Sequence, residues 1–237
     1  MESIIEIANH VRDKIHSHEV FLAGVEKVFR AEPSLKVQPP VIHSIKVRLK
    51  DLTHLEEKIG RKQKEGAEIT RENVFDKITD LAGIRIIHLH QAQFTPIHKC
   101  IKSQVNNRDW VLLEEPKAYT WDPESRSFYE KHGLSVHVKE SFYTSIHYVV
   151  KPRLDSIASC EIQVRTLFEE IWGEIDHTIN YPAETENVSC REQIRVLARL
   201  VGAGSRLADS IFRTHEQGWP AGYIASDHIQ NMEKKEI

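Results

Sequence analysis

Three short stretches of this chain, and one acid between them, carry side chains that could do chemistry together. Ser159 to Thr166 alternates as a strand, with Cys160, Ile162 and Val164 on one face and Glu161, Gln163 and Arg165 on the other. Tyr143 to Val150 alternates likewise and sets Tyr143, Ser145 and His147 on one face. Pro152 to Ser156 read as a turn, so the two strands pair antiparallel and their polar faces become neighbours. Ile45 to Lys50 places three aliphatics against Lys46, Arg48 and Lys50, and the helix after it adds Lys58, Arg61 and Lys62 on its flank. Asp80 stands just before Gly83 and a β-branched run that begins at Ile84. Each has a plain reading: a solvated face with a Glu–Arg pair, a solvated cationic face, an acid capping a turn. Together they suit phosphoryl transfer. Clustered cations bind polyphosphate, the two isolated carboxylates Asp80 and Glu161 are what a phosphate-bridging Mg²⁺ requires, and an exposed Tyr can stack a base. Neither the G-x-x-x-x-G-K nor the G-x-G-x-x-G glycine loop occurs.

The elements that must position these groups follow from the hydrophobic pattern. Residues 4–30 read as one amphipathic helix, ended by Pro33, Pro39 and Pro40. Leu52, Leu55 and Ile59 mark a helix, residues 63–73 a polar loop, and Ile84 onward a buried strand. Gly83 predicts a close backbone approach at the start of that strand. Residues 96–106 read as a helix and Trp110 to Leu113 as a strand. Residues 116–141 show no regular period and are expected to be a long loop. Leu167, Phe168, Ile171, Trp172, Ile175 and Ile179 predict a helix whose apolar stripe packs on the sheet. A final helix runs from about Arg191 to His215, and the polar stretch Ser226 to Ile237 reads as a fraying tail. That last helix serves either oligomerisation or simple packing on the domain.

The 237 residues are 40% hydrophobic and 28% charged, which suits one globular domain with a full core. No run approaches the roughly 18 apolar residues of a membrane span, and the acidic N-terminus lacks a signal-peptide apolar region. Cys100, Cys160 and Cys190 are few and widely spaced, which fits a reducing, cytoplasmic compartment. A net charge of −3 argues against a dedicated polynucleotide binder. Of the 14 His, the pairs His16/His18 and His88/His90 lack further ligands at metal spacing and read as ordinary imidazoles.

Five motifs stand in an order that resembles RelA/SpoT-type alarmone synthetases. They are Arg48-Leu49-Lys50, Asp80 to Arg85, Tyr143 to His147, Glu161 to Thr166, and Trp172 to Tyr181 with Asp176-His177 and Asn180-Tyr181. The resemblance spans roughly residues 40–182, and length suggests a small single-domain member. It implies an α/β fold: a nucleotidyltransferase-like mixed sheet flanked by helices, with an N-terminal helical segment (1–39), a synthetase domain (40–185), and a C-terminal helix and tail (186–237). The implied activity is transfer of pyrophosphate from ATP to the 3′-hydroxyl of GDP or GTP, releasing AMP. No His-Asp dipeptide of the family's hydrolase domain occurs, so hydrolysis of the product is not expected. By motif, Arg48 and Arg85 sandwich the adenine and Lys50 and Lys58 hold the ATP phosphates. Asp80 and Glu161 bind Mg²⁺, with Glu161 also accepting the proton of the attacking hydroxyl. Tyr143 stacks the acceptor base, and His147, Gln163 and Arg165 surround the acceptor. Departures fall on the acceptor side: Phe142 and Thr144 replace a Gly and a basic residue around the Tyr, Glu170 replaces an Asn that reads guanine, and the 116–141 segment is atypical. An adenine nucleotide or the tRNA 3′ end therefore stays open as an alternative acceptor. A silent nucleotide-binding module is disfavoured by the presence of both Asp80 and Glu161.

Overall fold

The computed structural model describes residues 2–139, 141–181 and 183–217; the expected tail at 226–237 lies outside them. Two helices open the chain, α1 (Ile4–Lys14) and α2 (His16–Ala31), where one was expected. The break at Ile15 lets them bury different faces. Ile7, Ala8 and Val11 of α1 join a small cluster with Leu55 and Ile59, whereas Leu22, Val25 and Phe29 of α2 join the main core. β1 (Ser44–Leu49), α3 (Leu52–Lys64), the single turn α4 (Val74–Lys77), β2 (Ala82–His88), α5 (Phe94–Asn106) and β3 (Val111–Leu112) follow.

The expected loop at 116–141 instead holds β4 (Lys117–Tyr119), α6 (Pro123–Lys131) and β5 (Ser135–His137). The Asp122 side chain accepts from Glu124 N, Pro123 occupies the first turn, and Gly133 takes a positive φ of 75° just past the end. The chain closes with β6 (Ser145–Lys151), β7 (Cys160–Thr166), α7 (Leu167–Asn180) and α8 (Val188–Gln217).

The strands form a mixed sheet in the order β1-β2-β7-β6-β4-β5, with β3 also on β6. β2 and β7 are parallel, and β6 lies antiparallel to β7 as the turn at Pro152 to Ser156 predicts. Ile84 and Ile86 of β2, Ile162 and Val164 of β7, and Ile146 and Tyr148 of β6 turn to one side. There they meet Leu22, Val25 and Phe29 of α2 and Phe94, Ile97 and Ile101 of α5. That is the core, and it leaves the opposite face of the three central strands for polar residues.

α7 does not sit as expected. Its stripe Phe168, Ile171, Ile175 and Ile179 stays substantially exposed, and the buried side carries Glu169, Glu170 and Trp172. The Thr166 side chain caps the helix with Glu169 as its reciprocal partner. Trp172 packs with Ile194, Ala198 and Val201 of α8, so α8, not the sheet, takes α7's large apolar side chain.

Candidate active site

On the polar face, strand register lays down two rows. Arg48, Gly83, Glu161 and Val149 stand opposite one another in the first. Lys46, Arg85, Gln163, His147 and Lys117 stand in the second, across five strands. The register is fixed by the aliphatics on the other face, since a one-residue slip would bury the polar row. Gly83 is where the Arg48 side chain crosses the sheet: a Cβ there would lie 3.5 Å from Arg48 Nε. That is ordinary van der Waals contact, and the nearest backbone atom, Glu161 O, would lie 3.8 Å away, so the expected close backbone approach is not found.

Because β2 and β7 are parallel, Asp80, which precedes β2, and Glu161, the second residue of β7, lie at the same end of the sheet. Asp80 is not isolated. Its carboxylate takes Lys58 Nζ at 2.7 Å and Lys50 Nζ at 3.1 Å. Burial alone would raise its pKa, but the Lys58 and Lys50 ammonium groups outweigh it and leave the carboxyl below its ordinary value. For Lys50, burial dominates over Asp80 and lowers its pKa.

Glu161 accepts from His147 Nδ1 at 3.0 Å and from Gln163 Nε2 at 2.8 Å. Its pKa too is lowered: burial and the neighbouring Asp80 charge push up, while His147 and Gln163 prevail. Since the carboxylate can only accept, His147 Nδ1 carries the proton, and Nε2 faces the Tyr143 hydroxyl at 2.9 Å. Tyr143 precedes the strand it was expected to begin; Ser145 starts β6 and is fully buried. The Tyr143 ring nonetheless reaches the polar face, where the Arg165 guanidinium lies 5.6 Å from its centroid.

Arg165 is itself buried, donating to Gln163 Oε1 at 2.7 Å and facing Glu170 at 3.3 Å. Gly173, one turn beyond Glu170, makes room for it: a Cβ there would come within 2.8 Å of Arg165 Nη1.

Two clefts meet at Arg48. The smaller, about 180 Å³, is lined by Lys46, Arg48, Gly83, Arg85, Glu161 and Gln163 among others. The larger, about 530 Å³, is lined by Arg48, Lys50, Lys58, Arg61 and Asp80, and also by His54, Glu57, His177 and Tyr181. The cationic cluster thus gathers as expected, except that Lys46 turns to Glu170 and Lys62 lies outside the cleft lining. Its mutual repulsion is partly relieved by the chain's own Asp80 and Glu170. Sequence reasoning gave no role to His177 and Tyr181. Their signal was present, two rings four residues apart at the end of α7; the rings stack at 4.6 Å, and the Tyr181 hydroxyl donates to Glu57.

Among the described residues no three or more His, Cys, Asp or Glu side chains group as a metal site. A divalent cation held by Asp80 and Glu161 would complete its shell with phosphate and water oxygens, the usual manner of Mg²⁺.

A family profile described as a region found in RelA / SpoT proteins matches residues 47–186. The chain belongs to the RelA/SpoT family. It is 27% identical over 206 residues to GTP pyrophosphokinase YjbM of Bacillus subtilis (strain 168), covering 84% of this chain and 82% of that protein. It is 26% identical over 142 residues to GTP pyrophosphokinase YwaC of the same strain, covering 60% of this chain and 59% of that one. The crystal structure of small alarmone synthetase 1 from Bacillus subtilis superposes with a TM-score of 0.61 at 20% identity, over 87% of this chain and 96% of that one. The mixed sheet flanked by helices is therefore the fold of the small synthetases.

Proposed function

We propose that this RelA/SpoT family member is a GTP pyrophosphokinase: it transfers pyrophosphate from ATP to the 3′-hydroxyl of GDP or GTP and releases AMP. The observation that carries this reading is the placing of Asp80 and Glu161 at one end of two parallel strands, beside two cation-lined clefts that meet at Arg48. The relatives' names point the same way, and structures of small alarmone synthetase 1 from Bacillus subtilis are described as bound to its product pppGpp and, separately, to AMPCPP.

In this reading Lys50, Lys58 and Arg61 take the ATP phosphates, and Arg48 and Arg85 flank the adenine over the smaller cleft. Tyr143 stacks the acceptor base, while His147, Gln163 and Arg165 order the acceptor side. The acceptor's 3′-oxygen bonds to the β-phosphorus, the bond from that phosphorus to the α–β bridging oxygen breaks, and AMP leaves with that oxygen. Glu161 accepts the hydroxyl proton. Its lowered pKa keeps it ionised at neutral pH. Mg²⁺ held by Asp80 and Glu161 would neutralise charge on the transferring phosphates. Residues 40–185 form the synthetase unit, working in the cytoplasm.

No helix among the described residues is long and apolar enough to cross a membrane. Val196, Leu200, Leu207 and Ile211 form an exposed stripe on α8, opposite Ile194, Ala198 and Val201. Homo-oligomers assemble through that stripe. Leu200→Glu should reduce the mass seen by light scattering, and an unchanged mass refutes the assignment.

The activity is tested by incubating the protein with γ-labelled ATP and GDP, GTP, ADP, ATP or tRNA in turn. Label is expected in a guanosine tetra- or pentaphosphate. Label in an adenine nucleotide or tRNA, or in none, overturns the reading.

A further inference from the structure

Three of the site's cations converge on Glu170, as Lys50 and Lys58 do on Asp80. The Glu170 side chain is 4% exposed and faces Lys46 Nζ at 2.7 Å, Arg85 Nη1 at 3.2 Å and Arg165 Nε at 3.3 Å. One anion on α7 thus meets cations from β1, β2 and β7. A buried carboxylate with no counter-charge would take up a proton. Here burial pushes its pKa up, but Lys46, Arg165 and Arg85 together hold it below the ordinary value, so it stays charged.

Two lines of contact leave Glu170. One reaches Arg85, whose guanidinium Glu174 also holds at 2.6 Å and which lines the smaller cleft beside Arg48. The other runs through Arg165 to Gln163 and on to Glu161. The second has a fixed polarity. Arg165 can only donate and Glu161 can only accept, so Gln163 must present its oxygen to Arg165 and its NH₂ to Glu161. Without Arg165 in place, the Gln163 amide loses one of the two partners that hold it, the one on its oxygen.

We propose that Glu170 is a positioning residue that couples the donor and acceptor halves of the site. It fixes Arg85 on the donor side and, through Arg165 and Gln163, the carboxylate of Glu161. This rests on the pyrophosphokinase reading for its effect on turnover, but not for its effect on nucleotide affinity. Glu170 touches no reacting atom in this role.

The experiment measures affinity for the ATP analogue AMPCPP by calorimetry, alongside kcat and melting temperature. Wild type, Glu170→Gln, Glu170→Asp, Gln163→Ala and the double variant Glu170→Gln/Gln163→Ala are compared. Glu170→Gln is expected to weaken AMPCPP binding and lower kcat, each by about tenfold, a typical coupling between neighbouring charged groups. Glu170→Asp should recover most of both losses. In the Gln163→Ala background the kcat loss from Glu170→Gln should shrink below about twofold, because that line is already cut. The AMPCPP loss should persist there. Equal proportional losses in both backgrounds, tracking melting temperature, would show a merely structural residue and overturn the proposal. So would unchanged AMPCPP affinity in Glu170→Gln. Wild type that binds AMPCPP but forms no product refutes the pyrophosphokinase reading alone; wild type that binds no AMPCPP refutes both.

Discussion

Mild acid should destabilise this protein through its buried histidines. His18, His88 and His98 are buried in or beside the cores, and each has its pKa lowered to about 4. Burial is the main cause in all three; the Lys151 ammonium adds to it for His18 and Lys102 for His98. The sign follows from proton linkage. An unfolded imidazole titrates near its ordinary value of 6.5, so between pH 6.5 and 4 the unfolded chain binds more protons than the folded one. Stability is full above pH 6.5 and falls as the pH drops. At pH 5.5 an unfolded imidazole is about ten parts protonated to one part neutral, while the buried one is almost wholly neutral. Each site then loses about 1.4 kcal/mol, and three lose about 4 kcal/mol. That is a large share of a typical total of about 5–15 kcal/mol. Asp80 and Glu161 do not enter this window, because their lowered pKa values defer their losses to more acid conditions. Glu169 opposes the trend, since burial raises its pKa and favours the folded state as acid is added. Melting scans from pH 8 to 5.5 should show a fall of roughly 10 °C for a chain of this size. His98→Gln, which can still bond the Tyr148 hydroxyl, should reduce the fall by about a third. A melting temperature flat down to pH 5.5 refutes the reasoning.

Asp80→Asn should abolish synthesis, and because it leaves Lys50 and Lys58 facing each other without an anion it should also cost roughly 1–3 kcal/mol of stability; appreciable turnover at saturating Mg²⁺ sinks the assignment. Arg48→Ala should chiefly raise KM for ATP, since stacking contributes to ground-state binding as well. Arg85→Ala should do the same with an added stability loss, because it also strips Glu170 and Glu174 of a partner; unchanged ATP affinity in both rules out an adenine clamp. Tyr143→Ala should weaken acceptor use by about one to two orders of magnitude with ATP affinity intact. Tyr143→Phe should lose about 1 kcal/mol at most, the hydrogen bond to His147. If Tyr143→Ala instead harms both substrates alike and in step with melting temperature, Tyr143 is core.

The alternating strands were legible because side-chain period and burial are local: His147 does stand opposite Gln163, and Ile84, Ile162 and Ile146 do share the core face. The elements within 116–141 were not, because three-residue strands are too short to show a period and the nine-residue α6 buries only Ser125 and Tyr129. Their flanking signals, Asp122-Pro123 and Gly133, were present all the same. The face of α7 was misjudged for a different reason. Its apolar stripe is the stronger pattern, yet Glu170 turns inward because Lys46, Arg85 and Arg165 wait there, and Lys46 and Arg85 are distant in sequence. Periodicity reports what water rejects, not which buried charge has partners. The break at Ile15 was hidden likewise, since both helices keep one apolar period while serving different clusters.

The parallel pairing of β2 with β7 has a consequence for the order of synthesis on the ribosome. Gly83 lies opposite Glu161, 78 residues later. Closing so long a connection carries an entropic cost that only the completed sheet repays. A nascent chain that has emerged only through α5 carries Asp80 and the cations, but neither Glu161 nor the carboxylate on α7 that gathers Lys46, Arg85 and Arg165. Translation arrested before Glu161 therefore yields a fragment that holds Asp80, Lys50 and Lys58 but not the proposed base, so on this reading catalytic competence arrives late.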